Sequence, residues 1–148
     1  MFCDADDMFQ SVTALSNIFA DMNKGYSIIV YDFYEEVKLQ NKMIYVNHHH
    51  DNIFVHGKIY KRQFLLDHSI IWHPELGTNQ DSCFNVLAIT LAMKNNTLLF
   101  NDLPIYLWKW NDKSITRGEE YHTQKSWCDM IESYEYNIKD FLNRGYGE

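Results

Sequence analysis

Apolar positions along this chain follow two periods. Between residues 8 and 22, Phe9, Val12, Leu15, Ile18, Phe19 and Met22 recur at three- and four-residue spacings, which predicts a helix with one apolar face on the core. Asp7 stands where such a helix would be capped, and Gly25 where it would stop. Residues 26–35 are rich in β-branched and aromatic side chains and predict a well-buried strand. Residues 42–48 predict a second strand, paired antiparallel with the first across a polar turn from Glu36 to Lys42. A short helix at 62–67 and a brief strand at Ile70-Ile71-Trp72 follow, and Pro74 ends regular structure. Phe84, Leu87, Ala88, Leu91 and Ala92 form the inner face of a helix over 81–94. Strands at 97–102 and 104–110 flank a bend at Pro104. A long helix runs from 119 to 144, with Trp127, Met130, Ile131, Tyr134, Ile138, Phe141 and Leu142 on its buried side and Gly145 as its stop. This order predicts one α/β domain over residues 1–148, a mixed sheet covered by packed helices, without repeats or linkers.

Composition narrows the class. A length of 148 residues is one domain's worth, and 46% hydrophobic with 16% aromatic residues fills a core. No apolar run is long enough to span a membrane, and the N-terminus lacks the basic-then-apolar pattern of a signal peptide. Cys3, Cys83 and Cys128 are odd in number and far apart, which fits neither a disulfide framework nor a metal-ligand spacing and suits a reducing cytoplasm. A net charge of −7 argues against a nucleic-acid partner held by phosphate contacts. It leaves a nucleotide ligand open, because a bound cation reverses the local sign.

The candidate chemistry begins at Asp4, Asp6 and Asp7, three carboxylates within four positions. Crowded like charges are costly unless a cation sits among them, and Mg²⁺ or Mn²⁺ takes such oxygens. The alternative is helix capping at the positive end of the dipole. His48-His49-His50-Asp51 looks like a metal site, but consecutive side chains point apart and one ion is rarely held by three in a row, so it reads as an exposed polar loop, with active-site lining as the alternative. Gly57 permits a tight turn or close approach of a ligand, and Lys58 and Arg62 face either phosphates or water. Asp81 opens a helix, whose positive end keeps a carboxylate ionised.

Taken in order, these motifs resemble the second half of a family 2 glycosyltransferase with the nucleotide-diphospho-sugar transferase (GT-A) fold. Cys3-Asp4-Ala5-Asp6-Asp7 is similar to that family's D-x-D metal motif, and His56-Gly57-Lys58-Ile59-Tyr60-Lys61-Arg62 to its H-G-K stretch. Asn79-Gln80-Asp81-Ser82-Cys83-Phe84-Asn85 resembles the acidic motif that carries the catalytic base, with Gln80 where an acidic residue is usual. Leu103 to Trp110 and Ser114-Ile115-Thr116-Arg117 resemble the strand and tail of bacterial and phage members.

The resemblance implies a truncated GT-A-like domain lacking the N-terminal βα units that hold the nucleotide. It implies Mg²⁺ or Mn²⁺ at Asp4, Asp6 and Asp7, and Asp81 as the base of an inverting transfer. His56, Gly57, Lys58, Arg62 and Trp110 would contact donor or acceptor. The partners implied are a nucleotide-sugar, a glycan or other hydroxyl acceptor, and a complementary N-terminal chain or a second copy. Two other readings stay open: a non-catalytic glycan- or protein-binding module, and an unrelated α/β protein whose acidic cluster is a cap.

Overall fold

One strand, β2 (Ile28–Leu39), organises the sheet because its two faces are both apolar at its start. Ile28 and Val30 point to one side, and Ile29, Tyr31 and Phe33 to the other. A strand buried on both faces reads as a continuous apolar run, which is how residues 28–33 appear in the sequence. The structure, a computed structural model, describes residues 1–114 and 124–147.

β3 (Lys42–His48) pairs antiparallel with the outer half of β2, and β4 (Lys58–Tyr60) antiparallel with its inner half. β5 (Leu98–Trp108) runs parallel to β2 along its other edge. The short β1 (Met8–Phe9) pairs antiparallel with the end of β5. The sheet is therefore mixed, as the sequence predicts.

On one face lie α2 (Arg62–Asp67) and α3 (Gln80–Lys94), whose Phe64, Phe84, Leu87, Ala88 and Leu91 pack on Ile28 and Val30. On the other, α1 (Ala14–Met22) sets Ala14 and Ile18 against Ile29, Tyr31 and Ile105. α4 (Gln124–Asn143) packs outside α3. No helix among the described residues is long and apolar enough to cross a membrane.

Several boundaries differ from the pattern-based expectation. The helix predicted over 8–22 begins only at Ala14, because the backbone of Met8 and Phe9 pairs with β5. Asp7 is consequently not a helix cap. Of its apolar positions Ile18 is buried, whereas Val12, Leu15, Phe19 and Met22 are exposed. The third contact toward the core is polar: Asp21 accepts hydrogen bonds from Tyr31 Oη (2.7 Å) and Asn101 Nδ2 (2.7 Å). β2 continues through the expected turn, which tightens to Gln40-Asn41, with Gln40 at φ 53°. Residues 70–72 form no strand; Ile70 is core and Trp72 stacks on Phe84. The two strands expected around Pro104 are one strand, whose pairing with β2 shifts register near Asp32.

The largest reversal is on α4. Trp127, Ile131, Tyr134, Ile138 and Leu142 are exposed, while Asp129, Ser133 and Asn137 are buried; of the expected buried side, Met130 and Phe141 are half-buried, and Phe141 packs on the core. Helical spacing marks an apolar stripe but does not say which stripe touches the domain. Here the polar stripe does, for a reason given by its hydrogen bonds below. The outer edge of β5 from Leu98 to Pro104 has no strand partner among the described residues. Ile115-Thr116-Arg117 and the expected helix start at 119 lie outside the described residues.

Candidate functional site

The turn carrying Asp4, the segment Ile53–His56, the loop Gly77–Asn79 and the first turn of α3 converge beside Trp108, the last residue of β5. They line a cleft of about 260 Å³. This is where α/β sheets generally bind ligands, outside the carboxyl ends of parallel strands. Of the sequence candidates, Asp4, His56 and Asp81 line it, with Trp108 and Ser114 among the other walls.

The acidic turn splits into different roles. The Asp4 carboxylate is exposed, while its backbone N–H donates to Tyr106 Oη at 3.2 Å. Asp6 is exposed and accepts from Asn111 Nδ2 at 2.6 Å. The Asp7 side chain is only 1% exposed. It accepts from Tyr106 Oη (2.5 Å) and from the Lys109 N–H (2.9 Å), tying the turn to β5. Donor atoms of Asp4, Asp7 and His56 lie within 4.8 Å of one another. Two carboxylates and a neutral imidazole fit a divalent cation, and His56, not Asp6, completes that group of three.

His56 is buried among aromatic rings, stacked near Tyr106 and tilted against Trp108 at 4.8 Å. Burial is the main reason that its pKa falls to about 4, with the Asp4 charge opposing and the Lys58 charge reinforcing. The ring is therefore neutral with a lone pair available.

A stability consequence follows. Between the ordinary value near 6.5 and about 4, the unfolded chain binds a proton that the folded chain refuses, so this contribution is present above that window and lost as pH falls through it. Metal-free protein is expected to lose about 2 kcal/mol between pH 7 and pH 5 from this residue. Urea titrations at both pH values check it: His56→Leu should flatten the difference, and an unchanged pH slope would contradict the assignment. His49, held above its ordinary pKa by its hydrogen bond to Asp32, acts with the opposite sign, which the paired comparison cancels.

Asp81 is the second residue of α3, and its Oδ2 accepts the Val55 N–H at 3.3 Å. Burial raises its pKa above the usual carboxylate range, and the Asp4 charge adds to that while the Val55 N–H opposes it. A carboxylate so raised is better matched to accepting a proton near neutral pH.

The loop before it is fixed from α4. Asp129 Oδ2 accepts from the N–H groups of Gly77 (3.1 Å) and Thr78 (2.8 Å) and from Thr78 Oγ1 (3.0 Å). Asn79, at φ 58°, donates from Nδ2 to the Ser126 carbonyl at 3.2 Å. Burial works against the Asp129 charge, but the hydrogen bonds from Thr78 and Gly77 and the Lys125 charge together outweigh it and hold the pKa low. These contacts explain why Asp129 faces inward on α4; further along the same stripe, Cys83 Sγ donates to the Ser133 carbonyl (3.9 Å) and to Asn137 Oδ1 (3.7 Å). Asp129→Ala is expected to cost about 2–3 kcal/mol in denaturant unfolding, because three donors lose a charged acceptor. A change below about 0.5 kcal/mol would mean the loop does not depend on α4.

Other sequence candidates stand outside the cleft. Lys58 is fully buried, pairing with Asp51 at 3.1 Å and donating to the Phe54 carbonyl. Gly57 lies at φ 67° with the Tyr31 carbonyl 2.8 Å from where a Cβ would sit, so it serves backbone packing against β2. Arg62 is exposed at the start of α2. Trp110 donates its backbone N–H to Glu36 (3.0 Å) and its indole N–H to Asp112 (2.7 Å). Asp129 and Tyr106 are the site residues that sequence reasoning gave no such role. Their signal is tertiary: nothing local in residues 127–131 distinguishes an anchoring Asp from a solvated one.

Among known proteins, no family model matches this chain and no curated protein matches it. A solved structure does. S. aureus TarS 1–349, determined in complex with UDP, aligns with a TM-score of 0.61 at 20% sequence identity, covering 97% of this chain and 40% of that one. The chain thus spans less than half the length of that structure. The likeness gives the fold, which is a GT-A-like glycosyltransferase fold built on a mixed sheet.

Proposed function

We propose that this chain takes part in glycosyl transfer from a nucleotide-diphospho-sugar to an acceptor hydroxyl, with inversion at the anomeric carbon. The observation that carries the reading is the meeting of Asp4, His56 and Asp81 in one cleft at the end of a parallel strand. The GT-A-like fold, and the UDP held by the similar structure, support a nucleotide-sugar as the donor.

Asp4, Asp7 and His56 are the residues that would hold Mg²⁺ or Mn²⁺. Such an ion, when bound, offsets the charge that develops on a departing diphosphate. Asp81 accepts the proton of the acceptor hydroxyl as its oxygen attacks the anomeric carbon and the bond to the diphosphate breaks. Val55 N–H and the α3 first turn orient that carboxylate, and Asp129 fixes the loop ahead of it. Trp108 walls the cleft and limits water access beside His56. Asp6, exposed and hydrogen-bonded to Asn111, would follow Asp4 in meeting the donor.

The surfaces for nucleotide base and ribose belong, in this proposal, to a complementary segment or chain. The exposed apolar side of α1 and the outer edge of β5 from Leu98 to Pro104, without a strand partner among the described residues, support that part. Calorimetric titration with UDP, with and without Mn²⁺, tests the reading. Binding should require Mn²⁺ and weaken at least about tenfold in Asp4→Ala. Equal UDP binding with and without metal, or in Asp4→Ala, would remove the metal from the account.

A further inference from the structure

Away from the cleft, three strands deliver metal-ligating side chains to one point. β2 and β5 lose register together near Asp32, leaving Asp102 and Leu103 between the pairs Tyr31↔Asn101 and Asp32↔Pro104. The Asp32 carboxylate, 3% exposed, faces the end of β3. There His50 takes φ 49°, a left-handed conformation that histidine tolerates better than most residues. Two consecutive rings, which in extended backbone would diverge, are thereby stacked with centroids 3.7 Å apart. The sequence expectation of an exposed loop missed this turn.

The donor set is compact. His49 Nδ1 lies 3.1 and 3.0 Å from the two Asp32 oxygens. Donor atoms of Asp32, His49 and His50 lie within 4.8 Å of one another. Ligand atoms about 2.0 Å from a zinc-sized ion stand about 3.3 Å apart on a tetrahedron, so the Asp32–His49 separation is already near a coordination edge. His50 Nε2 meets Asp102 Oδ1 at 2.8 Å, which leaves its other ring nitrogen as a donor backed by a carboxylate. That pairing is the usual support for a metal-bound histidine. The His49 and His50 side chains are 55% and 37% exposed, so an ion reaches the group from solvent.

We infer that Asp32, His49 and His50, backed by Asp102, form a site for a divalent transition-metal ion separate from the cleft. Two imidazoles with carboxylates suit Zn²⁺, Co²⁺ or Ni²⁺ more than Mg²⁺. The ion would clamp the end of β3 to the irregular stretch of β2 and β5. The inference does not depend on the glycosyl-transfer reading.

The test is Co²⁺ titration of metal-stripped full chain, followed by visible absorption, whose bands report nitrogen ligands. Wild type should take up one such ion at this group, in addition to any held by Asp4, Asp7 and His56 in the cleft. His49→Ala and His50→Ala should each weaken binding at least about tenfold. Asp4→Ala should remove only that part of the bands that comes from the cleft group and leave the rest in place. Asp102→Asn, at an exposed position, covers the case of a misfolded histidine variant and should weaken binding measurably. Absence of saturable bands in wild type, or bands unmoved by all three variants at the site, would overturn the assignment.

Discussion

Asp81→Asn should lower turnover by two to four orders of magnitude, about 3–5 kcal/mol in the barrier, and leave UDP affinity within about twofold. The amide keeps an oxygen for the Val55 N–H, so the first turn of α3 retains its geometry. What disappears is the proton acceptor. The surroundings of Asp81, burial above all with the Asp4 charge behind it, already raise its proton affinity, and a cation near Asp4 would moderate that effect. Single-turnover rates with a UDP-sugar, in the presence of whatever chain completes the donor site, check the prediction. A variant that loses UDP affinity and rate in equal measure would assign Asp81 to binding.

Lys58→Met should destabilise the fold by about 3–5 kcal/mol, because it leaves the Asp51 carboxylate without its buried cation. Asp51 also accepts from the N–H groups of Ile53 (3.0 Å) and Phe54 (2.8 Å), which keep it partly satisfied and favour the lower end. Burial lowers the Lys58 pKa, while Asp51 acts to restore it. The double variant Lys58→Met/Asp51→Asn should recover part of the loss, since breaking one side of a buried pair costs more than replacing both. Urea unfolding of the three variants decides. A stable Lys58→Met with impaired nucleotide binding would return this lysine to the donor site.

Much of the fold was legible locally. The short α2 and the inner face of α3 follow from periodicity, and the run from Ile28 to Phe33 from its β-branched and aromatic content. The errors share one cause. At Met8-Phe9 a helical spacing yields to backbone pairing with β5, and on α4 the apolar stripe yields to Asp129, which the Gly77–Thr78 amides require. Both outcomes are set by partners roughly fifty or more residues away, which no local window contains.

The site divides the same way. Asp81 and Asp4 carried a readable signal in their motifs. Lys58 carried the same motif signal, yet the turn at Gly57 sends it inward to Asp51. His49 and His50 meet only because His50 adopts a left-handed conformation, a choice invisible in three identical letters.

In the proposed function, the cleft between the Asp4 turn and the start of α3 receives a metal-bound nucleoside diphosphate. Paramagnetic broadening of amide resonances by Mn²⁺–UDP reports the location directly. The Asp4, Asp6, His56 and Asp81 signals should be lost first, and the loss should be reversed by excess EDTA and absent in Asp4→Ala. UDP-dependent broadening centred elsewhere, or none at saturating Mn²⁺–UDP with the donor side completed, would contradict that proposal.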